Sequence, residues 1–261
     1  MSAPGPLAGK TALVTGSTSG IGLGIAVALA EQGAAIVLNG FGDAEPARRR
    51  LAPSAVRVGF HGADLSRPDE IAALMQYVAA EHGGADILVN NAGIQHVAPI
   101  EEFAVERWDA IIALNLTAAF HTTRLALPHM RATGWGRIVN VASVHGRVAS
   151  AGKAAYVAAK HGLLGLTKVT ALETARTGVT CNAICPGWVL TPLVQAQVDQ
   201  RALHDGTSEP EARGALLGEK QPSGEFVTVE QLGAAAVFLC SAAASQMRGA
   251  DLTLDGGWTA Q

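Results

Sequence analysis

The chain has 261 residues, of which 49% are hydrophobic, 16% are charged and 30 are glycine. That composition suits one large α/β domain with many tight turns and excludes a disordered chain. A net charge of −3 offers no basic field for nucleic acid, and no run of about 18 apolar residues is present to span a membrane.

The opening MSAPGPLAGK lacks the charged start and long apolar stretch of a signal peptide, so a cytoplasmic location is expected. Short apolar runs then alternate with longer amphipathic ones, which predicts parallel strands joined by crossover helices. The first predicted strand, Ala12–Thr15, runs through Gly16, Ser17, Thr18, Ser19, Gly20, Ile21 and Gly22 into a helix, Ile21–Gln32. Glycines there permit a tight turn, and the helix start presents free N–H groups to a pyrophosphate. The spacing is GxxxGxG, not the commoner GxGxxG.

A second strand, Ala35–Asn39, ends in Gly40-Phe41-Gly42-Asp43. A third, Val56–Phe60, leads to Asp64, which suits an adenine amino group, and then to the helix Pro68–His82. A fourth, Ile87–Asn90, leads to Asn91-Ala92-Gly93. Each of these turns has an ordinary reading, since Asn, Asp and Gly favour turns. In order at successive strand ends they point to one long ligand.

The helix Val105–Thr133 carries Asn115, and the strand Ile138–Ala142 leads to Ser143. On the next helix, Ala154–Thr177, Tyr156 and Lys160 are four residues apart and share a face. A free phenol with a pKa of about 10 moves protons poorly near neutrality, and a neighbouring ammonium is expected to lower it. A serine hydroxyl beside it would hold a substrate oxygen, so the set reads as acid–base chemistry at a carbonyl or alcohol. Alone, a Tyr–Lys pair reads equally as a solvated helix face. Strands Val179–Ile184 and Leu252–Leu254 complete the sheet. Cys181, Cys185 and Cys240 form no CxxC pair and are read as buried reduced thiols, with no metal site expected. Residues 191–226, polar and charged, lie past a strand end, where a substrate lid belongs in an open α/β sheet; a solvated surface excursion is the other reading.

TGxxxGIG, NNAG, the serine, YxxxK and Pro186-Gly187, in this order, resemble the short-chain dehydrogenase/reductase family over essentially the whole chain. The resemblance implies a single-domain, doubly wound, seven-stranded parallel sheet and a homotetramer. It makes Tyr156 the general acid–base, has Ser143 position the reacting oxygen, and has Lys160 lower the tyrosine pKa and bind the nicotinamide ribose. Asn115 would help hold a water in a proton relay. For the cofactor it implies Gly16, Thr18, Ser19, Gly20, Ile21 and Gly22 in the first loop. Phe41, Asp64, Leu65, Asn91, Ala92 and Gly93 would follow at the next strand ends, with Pro186, Gly187, Val189 and Thr191 beyond the sixth strand. Asn39 stands where many NAD-using relatives have an acidic residue. No Arg or Lys lies beside the loop glycines or just past this strand to meet a 2′-phosphate, and Arg48, Arg49 and Arg50 fall on the following helix, so NAD is expected.

Lys153 lies three residues before Tyr156, and on a helix they would share one face with Lys160. His145, Gln95 and Gln197 are further donors suited to a carboxylate, while Trp188 and Trp258 would wall a small apolar volume. Exposed Lys153 and Gln197, with tryptophans that merely pack, is the plainer reading. TGSTSGIGLGIA, VLNGFG, NNAGIQHVAP, ASVHG, GKAAYVAAKHG and CNAICPGWVLTPLVQ resemble, in particular, family members that interconvert (R)-3-hydroxybutyrate and acetoacetate. That resemblance implies that Gln95, His145, Lys153 and Gln197 bind the substrate carboxylate and that the segment after Pro192 closes over it. A carrier-bound 3-oxoacyl group or a neutral polyol is the alternative substrate. A silent NAD-binding scaffold would be expected to lack one of Asn115, Ser143, Tyr156 and Lys160, and all four are present.

Overall fold

The computed structural model describes residues 5–260, the Leu193 side chain aside; the first four residues of the opening segment lie outside it. In chain order the main elements begin β1 (Thr11–Val14), α1 (Gly20–Glu31), β2 (Ala35–Asn39), α2 (Glu45–Leu51), β3 (Val58–His61), α3 (Pro68–His82) and β4 (Ile87–Asn90). There follow α4 (Val105–Ile112), α5 (Ala118–Ala132), β5 (Gly136–Val141), α6 (Ala154–Glu173) and β6 (Val179–Pro186). The chain ends through α7 (Pro192–Asp205), α8 (Glu209–Gly218), α9 (Val229–Cys240) and β7 (Asp251–Leu254).

The strands form one parallel sheet in the order β3-β2-β1-β4-β5-β6-β7. Their residues are apolar on both sides because helices cover both faces. On one face Ala12, Val14, Ile36, Leu38, Ile87 and Val89 pack with Ile25 and Leu29 of α1 and Leu232 and Leu239 of α9. On the other, Leu13, Val37, Leu88 and Ile138 meet Ile71, Leu74 and Val78 of α3 and Met130 of α5. Helices α1 and α9 approach so closely that a Cβ on Gly233 would lie 2.7 Å from the Ala28 Cβ. Strand order reverses between β1 and β4, and ligands in open α/β sheets bind outside the carboxyl ends of the strands at such a switch point.

Several elements differ from the sequence expectation. The long helix over 105–133 is broken by a π-helical turn, Ala113–Thr117, centred on Asn115. By length and composition Val105–Ala132 is apolar enough to cross a membrane; here α4 packs on α6, and α5 on α3. Helix α6 stops at Glu173, not Thr177, where Thr174 turns its hydroxyl back onto the Thr170 carbonyl. The helices named from sequence omit α9, which starts at a reciprocal cap between Thr228 and Gln231. Residues 191–226 fold as the helix pair α7–α8, with a small core of Val194, Val198, Ala212 and Leu216 packed on Trp188 and Phe226. At the base of this excursion Val189 and Val227 form a parallel bridge. The three cysteines are buried free thiols.

Candidate active site

The carboxyl ends of the strands open onto a cavity of about 510 Å3. One end is built on backbone. Gly16 has φ +60°, and a Cβ on Gly22 would meet the Gly16 carbonyl oxygen at 2.3 Å and Asn91 Nδ2 at 2.5 Å, so only glycine fits that contact. Asn91 Nδ2 donates to the Thr15 and Gly16 carbonyls, both at 2.9 Å, and locks the loop. The α1 N-cap, Ser19, is extended (φ −158°, ψ 178°) and makes no side-chain cap, which leaves first-turn N–H groups for a ligand. This cradle fits the pyrophosphate of a dinucleotide.

Gly16, Thr18, Ser19, Ile21, Phe41, Leu65, Asn91, Ala92 and Gly93 line the cavity, as do Pro186, Gly187, Val189 and Thr191. Gly20, with φ +54°, and Gly22 shape the loop from behind the lining. Asp64 is not brought to it: its Oδ1 accepts from Ser66 N (2.9 Å) and Oγ (2.8 Å), bonds that hold the carboxyl below the usual range. Asn39 lines the cavity with its amide already engaged. Nδ2 donates to the His61 and Ala63 carbonyls (3.0 and 3.1 Å), and Oδ1 accepts from Gly16 N at 3.4 Å.

Ser143, Tyr156 and Lys160 meet at the middle of the cavity. Ser143 caps the short turn Val144–Gly146, its Oγ accepting from His145 N at 3.2 Å. Lys160 is 4% exposed, donates to the Val141 carbonyl at 2.8 Å, and has its Nζ 5.5 Å from the Tyr156 ring centre. Burial lowers its pKa to about 8. The Tyr156 phenol, by contrast, is raised by burial, with a hydrogen bond from Ser143 acting against it. The expected lowering by Lys160 is therefore not found in this state: burial raises the phenol, and the ammonium is turned to the Val141 carbonyl. Asn115 lies outside the cavity lining, its side chain engaged by Ile94.

Gln95, His145, Lys153, Trp188, Gln197 and Trp258 line the other end. Lys153 gets there differently from the expectation: it is the α6 N-cap (φ −118°, ψ 35°), not part of the helical face. Its Nζ lies 5.2 Å over the Trp188 ring, and burial lowers its pKa. The indoles of Trp188 and Trp258 are 6.0 Å apart. His145, 4% exposed, stands edge-on to Trp258 (5.4 Å) and Tyr156 (5.9 Å). Its Nε2 is 2.9 Å from Ser150 Oγ and its Nδ1 3.4 Å from Ser143 Oγ. Burial, then the Lys153 charge, pushes its pKa to about 4, so the ring is neutral near pH 7. Sequence reasoning missed Ser150 and Gln221. Both act through contacts with no local signal; Gln221 is a 1% exposed amide directly before Pro222 in a polar stretch.

A dinucleotide cradle at the switch point, with Ser, Tyr and Lys side chains beside it, is the arrangement of a short-chain dehydrogenase. The chain belongs to that family, whose sequence pattern matches residues 10–202. It is 68% identical over 257 residues to a D-beta-hydroxybutyrate dehydrogenase of Cupriavidus necator, covering 98% of this chain and 100% of the relative. A D-beta-hydroxybutyrate dehydrogenase of Rhizobium meliloti is 54% identical, with 97% and 99% covered. Among solved structures, L-sorbose reductase from Gluconobacter frateurii, complexed with NADPH and L-sorbose, superposes with a TM-score of 0.94 at 34% identity, covering 98% of each chain.

Proposed function

We propose that the protein is an NAD-dependent dehydrogenase that interconverts (R)-3-hydroxybutyrate and acetoacetate. The observation that carries this reading is Lys153, a half-buried ammonium that lines the same cavity as Ser143, Tyr156 and Lys160, with Gln95 and Gln197 as further donors. A cavity with that charge suits a small carboxylate. Two dehydrogenases that are 68% and 54% identical to this chain over almost its full length bear the name of that substrate.

In oxidation, Tyr156 as the phenolate takes the hydroxyl proton at Oη while Ser143 Oγ holds the same oxygen. Lys160 Nζ favours the phenolate before the transfer and would hold the cofactor ribose, and Asn115 fixes the backbone beside it. A nicotinamide dinucleotide held by the first-loop cradle would supply the hydride acceptor for C3. Gln95, Lys153 and Gln197 grip the carboxylate, joined by His145 once a ring nitrogen exchanges a serine for it. Trp188 and Trp258 exclude water from the short apolar body. Fixing the acid at both ends sets which face of C3 is presented. The α7–α8 pair acts as the lid.

NAD is favoured over NADP because Lys153 and Lys160 are the cations of the lining among the described residues, and neither sits at the Asn39 strand end. A 2′-phosphate there would meet an amide already turned inward. The enzyme works as a cytoplasmic homotetramer; exposed Trp108, Phe120, Leu172 and Phe238 support assembly. The test is Tyr156→Phe: turnover of (R)-3-hydroxybutyrate is expected to vanish while NADH binding, read by fluorescence, persists. Retained turnover would remove the proton-transfer role.

A further inference from the structure

We propose that Gln221 is a positioning residue that carries the movement of the α7–α8 pair to the Trp188 wall, and so sets substrate affinity separately from cofactor affinity. The inference rests on the reading of α7–α8 as the lid and of Trp188 as a wall of the substrate site.

The excursion leaves the body at Trp188 and returns at Val227. Its two limbs are joined at the base by Val227 N donating to the Trp188 carbonyl at 2.9 Å and by the Val189–Val227 bridge. Gln221 adds a side chain that holds both limbs at once. Its Oε1 accepts from Trp188 N at 2.8 Å, and its Nε2 donates to the Glu225 carbonyl. Its own backbone N–H donates to the Leu217 carbonyl at 2.7 Å, which ties it to the end of α8. With 1% exposure, this amide has no water to replace a lost partner.

The contacts around it are also tight on the cavity side. A Cβ on Gly187 would lie 2.5 Å from Gln221 Oε1, and one on Gly256 would lie 2.7 Å from its Cγ. The amide thus wedges between the cavity-lining turn after β6 and the turn that leads to Trp258. Through Trp188 it reaches Lys153, whose ammonium sits over that indole. A shift of α8 therefore moves Gln221, the Trp188 backbone and the indole against which the substrate packs. The first-loop cradle for the pyrophosphate has no bond to Gln221, and Gly187, expected beside the cofactor, packs on its side chain without a hydrogen bond to it, so substrate affinity should move more than cofactor affinity.

The experiment compares Gln221→Leu and Gln221→Glu in the full chain. The leucine keeps the volume and loses both bonds; the glutamate keeps an acceptor for Trp188 N and loses the donor to Glu225. The expected result is a KM for (R)-3-hydroxybutyrate raised about tenfold in the leucine variant and less in the glutamate variant, with NADH affinity within about twofold of the parent in both. Equal losses of substrate and NADH affinity, or unchanged constants in a less stable protein, would overturn the proposal by leaving Gln221 a purely structural role. Limited trypsin cleavage at Arg201 and Arg213, sites away from the substituted residue, reads the same coupling without any substrate. Faster cleavage in either variant than in the parent is expected, and an equal rate would contradict it. If the parent leaves (R)-3-hydroxybutyrate untouched, the substrate reading fails, and the cleavage rates still decide for or against Gln221.

Discussion

Asn115 grips Ile94 with both ends of its amide: Oδ1 accepts from Ile94 N and Nδ2 donates to the Ile94 carbonyl, each at 2.9 Å. The residue sits in the π-helical turn of the long helix, 2% exposed, and Ile94 lies on the cavity-lining loop after β4. One side chain therefore sets the distance between a helix and a wall of the site. π-turns recur at functional sites because they present backbone where a regular helix would hide it. Asn115→Ala removes both bonds to the part-exposed Ile94 backbone and is expected to cost about 1 kcal/mol of stability. Asn115→Asp, which keeps the acceptor but sets a buried carboxylate oxygen against the Ile94 carbonyl, should lose more. Denaturant unfolding of both variants checks the order; equal losses would mean that the carboxylate does not feel the Ile94 carbonyl.

Lys153 carries the charge of the substrate end. Lys153→Ala is expected to lower kcat/KM for 3-hydroxybutyrate by about 2–4 kcal/mol of transition-state binding, since it removes a charge-assisted contact in a closed site. NADH binding should hold. An unchanged kcat/KM would end the carboxylate assignment.

His145 makes the fold sensitive to acid. Its folded pKa of about 4 is below its ordinary 6.5, so between those values the unfolded chain binds more protons than the folded one. Stability is then lost as pH falls from about 6.5 to 4, by on the order of 3 kcal/mol when complete. Asp64, also depressed, adds its own acid loss, so the variant comparison isolates the histidine. Tm measured at pH 7.5 and at pH 5 should drop less in His145→Gln than in the parent. The same drop in both would assign the acid sensitivity elsewhere.

Gly22 admits no side chain. Gly22→Ala places a Cβ against the Gly16 carbonyl and Asn91, and both belong to the locked loop. The expected outcome is a cost of about 1–3 kcal/mol in stability and a weakened NADH titration. Full NADH affinity would show that the loop can give way.

Much of this was legible in the chain because buried parallel strands read as unbroken apolar runs, and Ala35–Asn39 and Ile87–Asn90 match their predicted bounds. The cavity lining was legible for the same reason: its residues follow strand ends, whose place is set by the fold. What was not legible depends on contacts between distant residues. Asn39 read as standing in place of a ribose-binding acidic residue, and nothing local showed that its amide is committed to His61, Ala63 and Gly16. Lys153 read as part of a helix face, yet the helix begins one residue later. Tyr156 read as lowered by Lys160, yet the burial that brings the two together raises the phenol. Gln221 carried no local pattern at all, because its partners, Trp188 and Glu225, come together only when the limbs of the excursion close.

The most direct measurement is NADH formation from NAD by the purified protein on (R)-3-hydroxybutyrate, (S)-3-hydroxybutyrate and a neutral secondary alcohol, each alone. The account predicts turnover of the (R) acid and neither of the others. Turnover of the neutral alcohol without the acid would contradict it, leaving the family and the Ser143, Tyr156 and Lys160 chemistry in place and removing Gln95, His145, Lys153 and Gln197 as the carboxylate anchors.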